Sequence, residues 1–217
     1  GYYRMAERPA ATLLHLGPGL ANGMANLHNA KKAFSGIVNI VGDHATYHLQ
    51  YDAPLTSDIE SLARPMSRWF GVAATSGDIR KATEEAYIEA VQGRGVATMT
   101  LPADAAWGEV QPEELASVRL PERGRAPREA IDAAAKALRS GRRTAVFLAG
   151  PALRASTLEI AGRIAAATGA DLFSQTSGRH ERGAGRVAVK AVPYPVPLAV
   201  AALRDYEVAI CVGKGAP

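Results

Sequence analysis

A histidine beside a glycine- and proline-rich segment is the first place in this sequence where chemistry is expected. His15 lies in the short apolar run 12–16 and precedes Gly17-Pro18-Gly19. Histidine titrates near neutral pH, so it is suited to proton transfer. Glycine lets the backbone turn sharply and lets a ligand approach closely, while proline fixes one dihedral angle. The pattern predicts a ligand-contacting turn with a proton-transfer group next to it.

A second candidate turn follows the apolar run 37–41, where Gly42 is followed by Asp43 and His44. Both runs predict buried parallel strands, covered on both faces. Ligands of open α/β sheets bind at the carboxyl ends of such strands, so the two turns are expected to face each other. Asp43 and His44 would then offer polar contacts. The structural alternative is an Asx turn with an exposed histidine.

Structural roles also account for the other candidates. His15 is equally compatible with a satisfied core histidine beside an ordinary tight turn. Asn22 is compatible with a helix-start residue that bonds its own backbone. Pro18 has no N–H and no GxGxxG segment is present, so this is neither a P-loop nor a dinucleotide fingerprint. The four histidines between positions 15 and 48 do not match the spacing of a zinc site, and no metal ligand is predicted in the chain.

Strands and helices alternate along the chain, which indicates parallel sheets covered by helices on both faces. In the first half, strands are predicted at 12–16, 37–41, 69–73 and 95–101, and helices near 20–34, 57–64 and 79–92. In the second half, helices at 128–140 and 156–168 alternate with strands at 144–149, 171–174 and 207–212. The predicted fold class is α/β, with two doubly wound, mostly parallel-sheet units.

Capping and linker signals complete this outline. Capping boxes at 57–60 and 156–159 are predicted to start two of the helices. Residues 47–55 are predicted to be a loop. The segment 105–128 is rich in Pro, Glu and Arg without sustained periodicity, which is typical of an interdomain linker. Trp107 is expected to anchor the start of this linker to the first domain.

Composition excludes several classes of function. Hydrophobic residues make up 47% of the 217 residues, enough for a real core, and the net charge is +4. The arginine-rich stretches at 119–143 and 179–186 lack interleaved aromatic residues, so no nucleic-acid site is expected. No apolar run reaches about 18 residues, so no membrane span is expected. The single cysteine, Cys211, cannot form an internal disulfide, and we expect a cytoplasmic protein.

The segments His15–Met24, Leu27–Ala30 and Val38–His44 resemble the thiamine-diphosphate-dependent 2-oxo-acid enzymes. The similarity is greatest to acetolactate synthase large subunits, with benzoylformate decarboxylase as a relative, and it continues through the segments 52–58, 64–65 and 101–104. It implies that residues 1–104 are the C-terminal part of a pyrimidine-binding domain. It also implies that residues 129–217 are the N-terminal part of a Rossmann-like middle domain.

The resemblance also implies roles for the candidate residues. His15 takes the position of the catalytic histidine of benzoylformate decarboxylase, where acetolactate synthases usually have another residue. Cofactor-binding roles are implied for six further residues, namely Gly17, Pro18, Gly19, Asn22, Asp43 and His44. The cofactors implied are thiamine diphosphate and Mg²⁺, with the metal ligands outside this chain. FAD occurs in the middle domain of some members, but no dinucleotide fingerprint supports it here.

The family's activating glutamate and its GDG…N metal motif have no counterpart in this chain. The first residues read as the interior of a helix and the last follow a buried strand. We therefore expect a piece of a longer protein, inactive on its own. The implied assembly is a homodimer or homotetramer with the active site between subunits.

Three functions remain open from the sequence. The first is acetolactate synthase-like condensation of pyruvate. The second, favoured by His15, is non-oxidative decarboxylation of a 2-oxo acid of the benzoylformate decarboxylase type. The third, from another class, is a non-catalytic nucleotide-binding module built from two Rossmann-like units.

Overall fold

The computed structural model describes residues 1–110, 117–122, 124–175, 180 and 183–213. The chain divides into two compact units, Gly1–Arg123 and Gly124–Pro217. Each unit contains a four-stranded sheet, and all paired strands are parallel. The predicted α/β class with two mostly parallel sheets is confirmed. In the described part of the chain, no helix combines the length and apolarity needed to cross a bilayer.

The first unit alternates strands and helices in the order expected for parallel pairing. Its elements are α1 (Tyr2–Ala6), β1 (Ala10–His15), α2 (Leu16–Lys32), β2 (Ile37–Asp43), a 3₁₀-helix (Thr46–Tyr51), α3 (Ile59–Ala63), β3 (Trp69–Val72), α4 (Asp78–Gln92), β4 (Val96–Pro102) and α5 (Ala103–Trp107). The strands lie in the order β1-β2-β4-β3. The carboxyl ends of β1, β2 and β4 therefore lie side by side.

Helices cover the two faces of this sheet unequally. On one face, α2 and α3 bury a core that contains Leu20, Val41 and Val96. On the other face, α4 packs its small residues Ala86 and Ala90 against β2 and β4. Because α4 packs on β2, β3 and β4, it leaves this face of β1 bare, and Leu13 is 74% exposed. The prediction that the first strand is covered on both faces is wrong for the described residues.

The second unit repeats the architecture. Its elements are α6 (Arg128–Leu138), β5 (Thr144–Leu148), a 3₁₀-helix (Gly150–Leu153), α7 (Ala155–Thr168), β6 (Asp171–Ser174), β7 (Lys190–Ala191), α8 (Val196–Leu203) and β8 (Val208–Val212). The strand order is β7-β6-β5-β8. Its core packs Val146, Leu148 and Leu172 against Leu153 and Leu158.

Polar contacts at Asp171 tie three segments of the second unit together. Its carboxylate accepts hydrogen bonds from Lys190 Nζ, at 2.7 Å, and from the Tyr206 hydroxyl. These two bonds lower the pKa of Asp171. The bond to Asp171 raises the pKa of Lys190, and burial followed by the same carboxylate raises the pKa of Tyr206. The cluster connects β7 and the residues before β8 to the start of β6.

Several local predictions are corrected by the tertiary structure. Asp58, not Ser57, caps α3, because its carboxylate accepts from the Ser61 N–H at 2.9 Å. Helix α7 begins at Ala155, so Ser156 lies inside the helix and the predicted capping box does not form.

The segment predicted as a loop at 47–55 and the predicted linker both contain helix. A 3₁₀-helix spans Thr46–Tyr51 and α5 spans Ala103–Trp107. Trp107 is 88% exposed and anchors nothing in the first unit. Parts of the predicted linker (111–116 and 123), most of the predicted glycine-rich loop at 176–185 and the last residues 214–217 lie outside the described residues.

Candidate active site

Strand register places the two predicted turns side by side. His15, the last residue of β1, is level with Gly42 of β2, and Gly42 is level with Leu101 of β4. The side chain of His15 is exposed. A Cβ placed on Gly42 would have only the Leu14 carbonyl oxygen near it, at 3.9 Å. The edge of the sheet beside His15 is therefore open enough for a ligand to lie against the backbone.

The glycine- and proline-rich segment is the first turn of α2 and not a separate turn before the helix. The helix begins at Leu16, directly after His15 in its N-cap position. Leu16 has a φ of 56° and is 2% exposed. A bulky residue in this left-handed region is uncommon, so packing must hold it there. The backbone passes from extended at His15 to left-handed at Leu16, where α2 begins. Pro18 is tolerated because the first helical turn needs no N–H partner.

Gly17 is closely packed against Ser57, a contact that the sequence did not reveal. A Cβ on Gly17 would lie 2.1 Å from Ser57 Oγ and 2.2 Å from Ser57 Cβ. The absence of a side chain thus lets the segment before α3 press against the start of α2. At Gly19 the nearest atoms, His15 Cβ and the Leu14 carbonyl carbon, are 3.5 Å away, which is ordinary contact. Gly17, and not Gly19, is the position where only glycine fits.

Asp43 and His44 do not form the Asx turn with an exposed histidine that the sequence allowed as an alternative, because the Asp43 carboxylate bonds the next residue and His44 is half-buried. Asp43 Oδ1 accepts a hydrogen bond from the His44 backbone N–H at 2.7 Å. The His44 ring lies 5.1 Å from the His48 ring, centroid to centroid, and His48 lies 5.7 Å from Tyr51. Among the described residues, His44 Nε2 is a buried atom with no hydrogen-bond partner. Buried polar atoms are nearly always paired, so this nitrogen is suited to bond a ligand atom.

A second contact missed by the sequence fixes the segment that follows His44. Asp104, in the first turn of α5, accepts from the Thr46 backbone N–H at 3.1 Å and from the Thr46 hydroxyl. These hydrogen bonds lower the pKa of Asp104. Asp104 follows Pro102 closely, and an acidic residue in that place is typical of a first helical turn. Nothing in the sequence indicated that Thr46 is its partner.

Asn22 lies away from this group of residues. It sits well inside α2, one turn after Pro18, and both side chains are exposed. A helix-start role for Asn22 therefore does not apply. The structure brings together His15, Gly17, Gly42, Asp43 and His44, whereas Asn22 is carried on the solvent side of α2. Within the described ranges, no cluster of three or more His, Cys, Asp or Glu side chains is placed to hold a metal ion.

Comparison with known proteins shows which proteins the chain is similar to. Residues 1–63 match the family model described as thiamine pyrophosphate enzyme, N-terminal TPP binding domain. The whole chain is 41% identical over 218 residues to "Putative acetolactate synthase large subunit IlvX" of Mycobacterium tuberculosis. Residues 1–63 therefore match the N-terminal domain of the thiamine pyrophosphate enzymes, and the whole chain is similar to an acetolactate synthase large subunit. The predicted resemblance to acetolactate synthase large subunits is confirmed, and the chain covers 42% of that relative's length.

Solved structures of other proteins share the fold. Benzoylformate decarboxylase of Polynucleobacter necessarius superposes with a TM-score of 0.82 at 18% identity, over 97% of this chain and 40% of its own. The thiamine diphosphate-dependent 4-hydroxybenzoylformate decarboxylase of Rhodococcus jostii superposes with a TM-score of 0.79 at 19% identity, over 98% of this chain and 41% of its own. At this identity the likeness concerns the fold alone. The chain spans less than half the length of each of these relatives.

Proposed function

We propose that the full-length protein carrying this chain is a thiamine-diphosphate- and Mg²⁺-dependent enzyme that condenses pyruvate in the manner of acetolactate synthase. The observation that carries the proposal is the level pairing of His15 with Gly42 at an open carboxyl edge, in a chain that is 41% identical to an acetolactate synthase-like relative. In this proposal residues 1–104 belong to the pyrimidine-binding domain, 105–128 to a linker and 129–217 to the middle domain.

The residues at this edge fit the pyrimidine side of the cofactor. The unpartnered His44 Nε2 is a polar atom available to the ring, and Gly42 leaves the space beside it unfilled. Asp43 and His44 would contact the cofactor from β2. Gly17-Pro18-Gly19 would line it from α2, and the proposal no longer includes Asn22, which is exposed further along that helix. When bound, thiamine diphosphate supplies the electron sink that cleavage and formation of carbon–carbon bonds next to a carbonyl require.

His15 is the group in this chain that we propose moves protons. Imidazole takes up and releases protons near neutral pH, and this side chain projects from the end of β1 beside the open space at Gly42. Its backbone is held by the buried left-handed Leu16 and by the contact of Gly17 with Ser57. Proton transfer depends on distance, so this rigid junction would serve His15 by fixing the position of its imidazole.

A second function has its own support. Acetolactate synthases usually lack a histidine at the position of His15, and benzoylformate decarboxylase has one there by resemblance. Decarboxylation of a 2-oxo acid to an aldehyde is therefore the alternative. The structural likeness to benzoylformate decarboxylases agrees with it only at the level of the fold.

The products formed by the full-length protein separate these functions. With thiamine diphosphate and Mg²⁺, pyruvate should yield acetolactate if the proposal holds, whereas aldehyde from pyruvate or benzoylformate would establish the decarboxylase. A protein that binds thiamine diphosphate but converts neither substrate would overturn both activities. A protein that does not bind thiamine diphosphate, measured by calorimetric titration in the presence of Mg²⁺, would favour the non-catalytic module.

The assembly is proposed on the same grounds. Family members acting on 2-oxo acids are generally oligomeric, and we propose a homodimer or homotetramer with the active site between subunits. Sedimentation equilibrium of the full-length protein tests this, because a monomer at micromolar concentration that still turns over substrate would contradict a shared site.

A further inference from the structure

A chain of side-chain hydrogen bonds, centred on a buried one, crosses the first sheet below the candidate active site. Thr12 Oγ1 of β1 donates to Asn39 Oδ1 of β2 at 2.8 Å, and Asn39 Nδ2 donates to Thr98 Oγ1 of β4 at 3.1 Å. Thr98 Oγ1 also lies 2.7 Å from Ser67 Oγ, in the segment that leads into β3. Asn39 and Thr98 are 0% exposed. We call these four residues the polar ladder.

The apolar residues of β2 do not define its register. Ile37, Val38, Ile40 and Val41 place apolar side chains on both faces of the strand. A shift of one residue, which turns every side chain to the other face, would therefore still bury apolar groups on both sides. Strands that are buried on both faces lack the alternation of apolar and polar residues that defines register in half-exposed strands. Something other than the apolar pattern has to select the observed pairing.

Asn39 is the residue in β2 that discriminates between registers. In the observed pairing, Thr12, Asn39 and Thr98 are level with one another across three strands. A one-residue shift would move the Asn39 amide beneath the apolar alanines of α4. A two-residue shift leaves every side chain of β2 on its own face of the sheet, but it places Asn39 beside Ala10 or Leu14 in place of Thr12. Either shift leaves a buried amide group without its partner, which is costly in a low-dielectric core.

We propose that Asn39 is a positioning residue that selects the register in which His15, Gly42 and Leu101 end level. Those three residues lie three positions beyond Thr12, Asn39 and Thr98 on the same strands, so the ladder and the edge share one register. A single buried polar residue that specifies register at some expense of stability is an attested device in coiled coils. This role concerns strand pairing and is independent of the proposed activity.

Register-specific disulfide formation tests the proposal. Leu13 is level with Ile40 and points to the bare face of β1. Side chains level on neighbouring strands are separated by roughly the 4.8 Å between strands, whereas an offset of two residues adds about 6.6 Å along the strand, beyond the reach of a disulfide. All variants carry Cys211→Ser. Leu13→Cys is combined with Ile40→Cys to report the observed register. It is combined in separate variants with Val38→Cys or Gly42→Cys, positions that become level with residue 13 only after a two-residue shift. Mild oxidation and mass spectrometry report the pairs formed.

With the ladder intact, we expect only the 13–40 disulfide. The triple variant Thr12→Val, Asn39→Leu and Thr98→Val keeps side chains of similar size but removes the hydrogen bonds of the polar ladder. In this variant the 13–38 or the 13–42 disulfide should form as well. Thr100→Val is the matched control, because Thr100 is buried on the same face of β4 but lies outside the ladder. It should leave the 13–40 pair exclusive.

A second set of variants keeps the test decisive if the triple variant does not fold. Thr12→Val removes only the hydrogen bond from Thr12 to Asn39. Because Thr12 is half-buried, this variant should still fold. It should allow the shifted disulfides, and Thr12→Ser, which keeps the hydroxyl, should restore the single product. Exclusive 13–40 pairing in a folded ladder-free variant, or in Thr12→Val, overturns the proposal.

Discussion

The carboxylate of Asp104 accepts two hydrogen bonds from Thr46, one from its backbone N–H and one from its hydroxyl. Thr46 begins the 3₁₀-helix after β2, and Asp104 lies in the first turn of α5 after β4. The pair therefore joins the segments that leave two neighbouring strands at the candidate active site. His48 lies in the 3₁₀-helix that Thr46 begins, with its ring against that of His44.

The Asp104–Thr46 contact is expected to make stability depend on pH on the acid side. The hydrogen bonds from Thr46 lower the pKa of Asp104 in the folded chain. The stabilisation is therefore present above the unfolded pKa of about 4 and is lost as pH falls through the lower folded pKa. Asp104→Asn should lower the thermal midpoint at pH 7 and reduce its fall between pH 5 and pH 3.

Asp52→Asn is the control for this measurement. Asp52 is exposed, follows the same 3₁₀-helix and loses the same charge on substitution. Its midpoint-against-pH curve should run parallel to that of the parent. If the curves of Asp104→Asn and Asp52→Asn coincide, the Thr46 contact does not contribute to stability.

Gly17→Ala is expected to destabilise the chain through overlap with Ser57. The new Cβ would lie 2.2 Å from Ser57 Cβ, which cannot rotate away because it is bonded to the backbone. Overpacking of this kind costs about 1–3 kcal/mol in the free energy of unfolding. Gly19→Ala is the matched change in the same helical turn, with its nearest neighbours at 3.5 Å. It should leave the unfolding free energy unchanged or raise it slightly.

The same overlap predicts a rescue. Ser57→Gly removes the two atoms that approach Gly17 and leaves Ser57 Cα at 3.7 Å, so Gly17→Ala with Ser57→Gly should recover most of the lost stability. Urea unfolding of the single and double variants measures this. Equal effects of alanine at positions 17 and 19 would show that the Ser57 contact is not the constraint.

Asp58→Ala should lower the thermal midpoint, whereas Asp58→Asn should stay close to the parent. Asp58 caps α3 by accepting from the Ser61 N–H, and this bond together with the one from the Ser61 side chain lowers the pKa of Asp58. Asparagine keeps an oxygen for the cap and alanine does not. In the full-length protein neither change should alter kcat by much. A hundred-fold loss of kcat in Asp58→Asn at unchanged midpoint would give Asp58 a chemical role.

His15→Ala in the full-length protein should lower kcat by roughly 10²–10⁴-fold if His15 transfers protons. Its side chain is exposed at the end of β1, so little packing is lost and the midpoint should change little. Cofactor affinity should change much less than kcat, because the diphosphate anchor lies elsewhere, and the pH–rate profile should lose the limb that a proton-transferring His15 would contribute.

His28→Ala is the matched control for His15→Ala. His28 is an exposed histidine on α2, carried on a helix and away from the sheet edge. Its alanine variant should keep parental kcat. Near-normal kcat in His15→Ala would remove the proton-transfer role and leave the function supported by sequence similarity alone.

Much of the first unit could be predicted because local patterns carry it. The apolar run 37–41 predicted β2, and the run from Gly95 to Leu101 predicted β4. The helix predicted at 79–92 is α4, which ends at Gln92. These are short-range signals of apolar length and periodicity, and they survive in the tertiary structure because no long-range contact opposes them.

Local sequence patterns gave wrong helix starts where contacts with distant segments determine the backbone conformation. Helix α2 was expected to start after Gly19, but it starts at Leu16, because Gly17 and Pro18 fit a first helical turn as well as they fit a loop. What distinguishes the two outcomes is the burial of Leu16 and the approach of Ser57, from a segment about forty residues further along the chain. Likewise Asp58, and not Ser57, is the cap because the geometry of the incoming loop selects between two good capping residues.

The sequence by itself determined the α/β class, the parallel strands and the residue types of the candidate site, since apolar periodicity and side-chain chemistry are local properties. Only the tertiary structure decided that His15 lies level with Gly42, that Asp104 holds Thr46 and that Leu13 faces solvent. Strand register and helix placement arise from contacts between residues far apart in the chain. Side chains such as Asn39, which pairs with residues 27 positions before and 59 positions after it, act only once those segments have met.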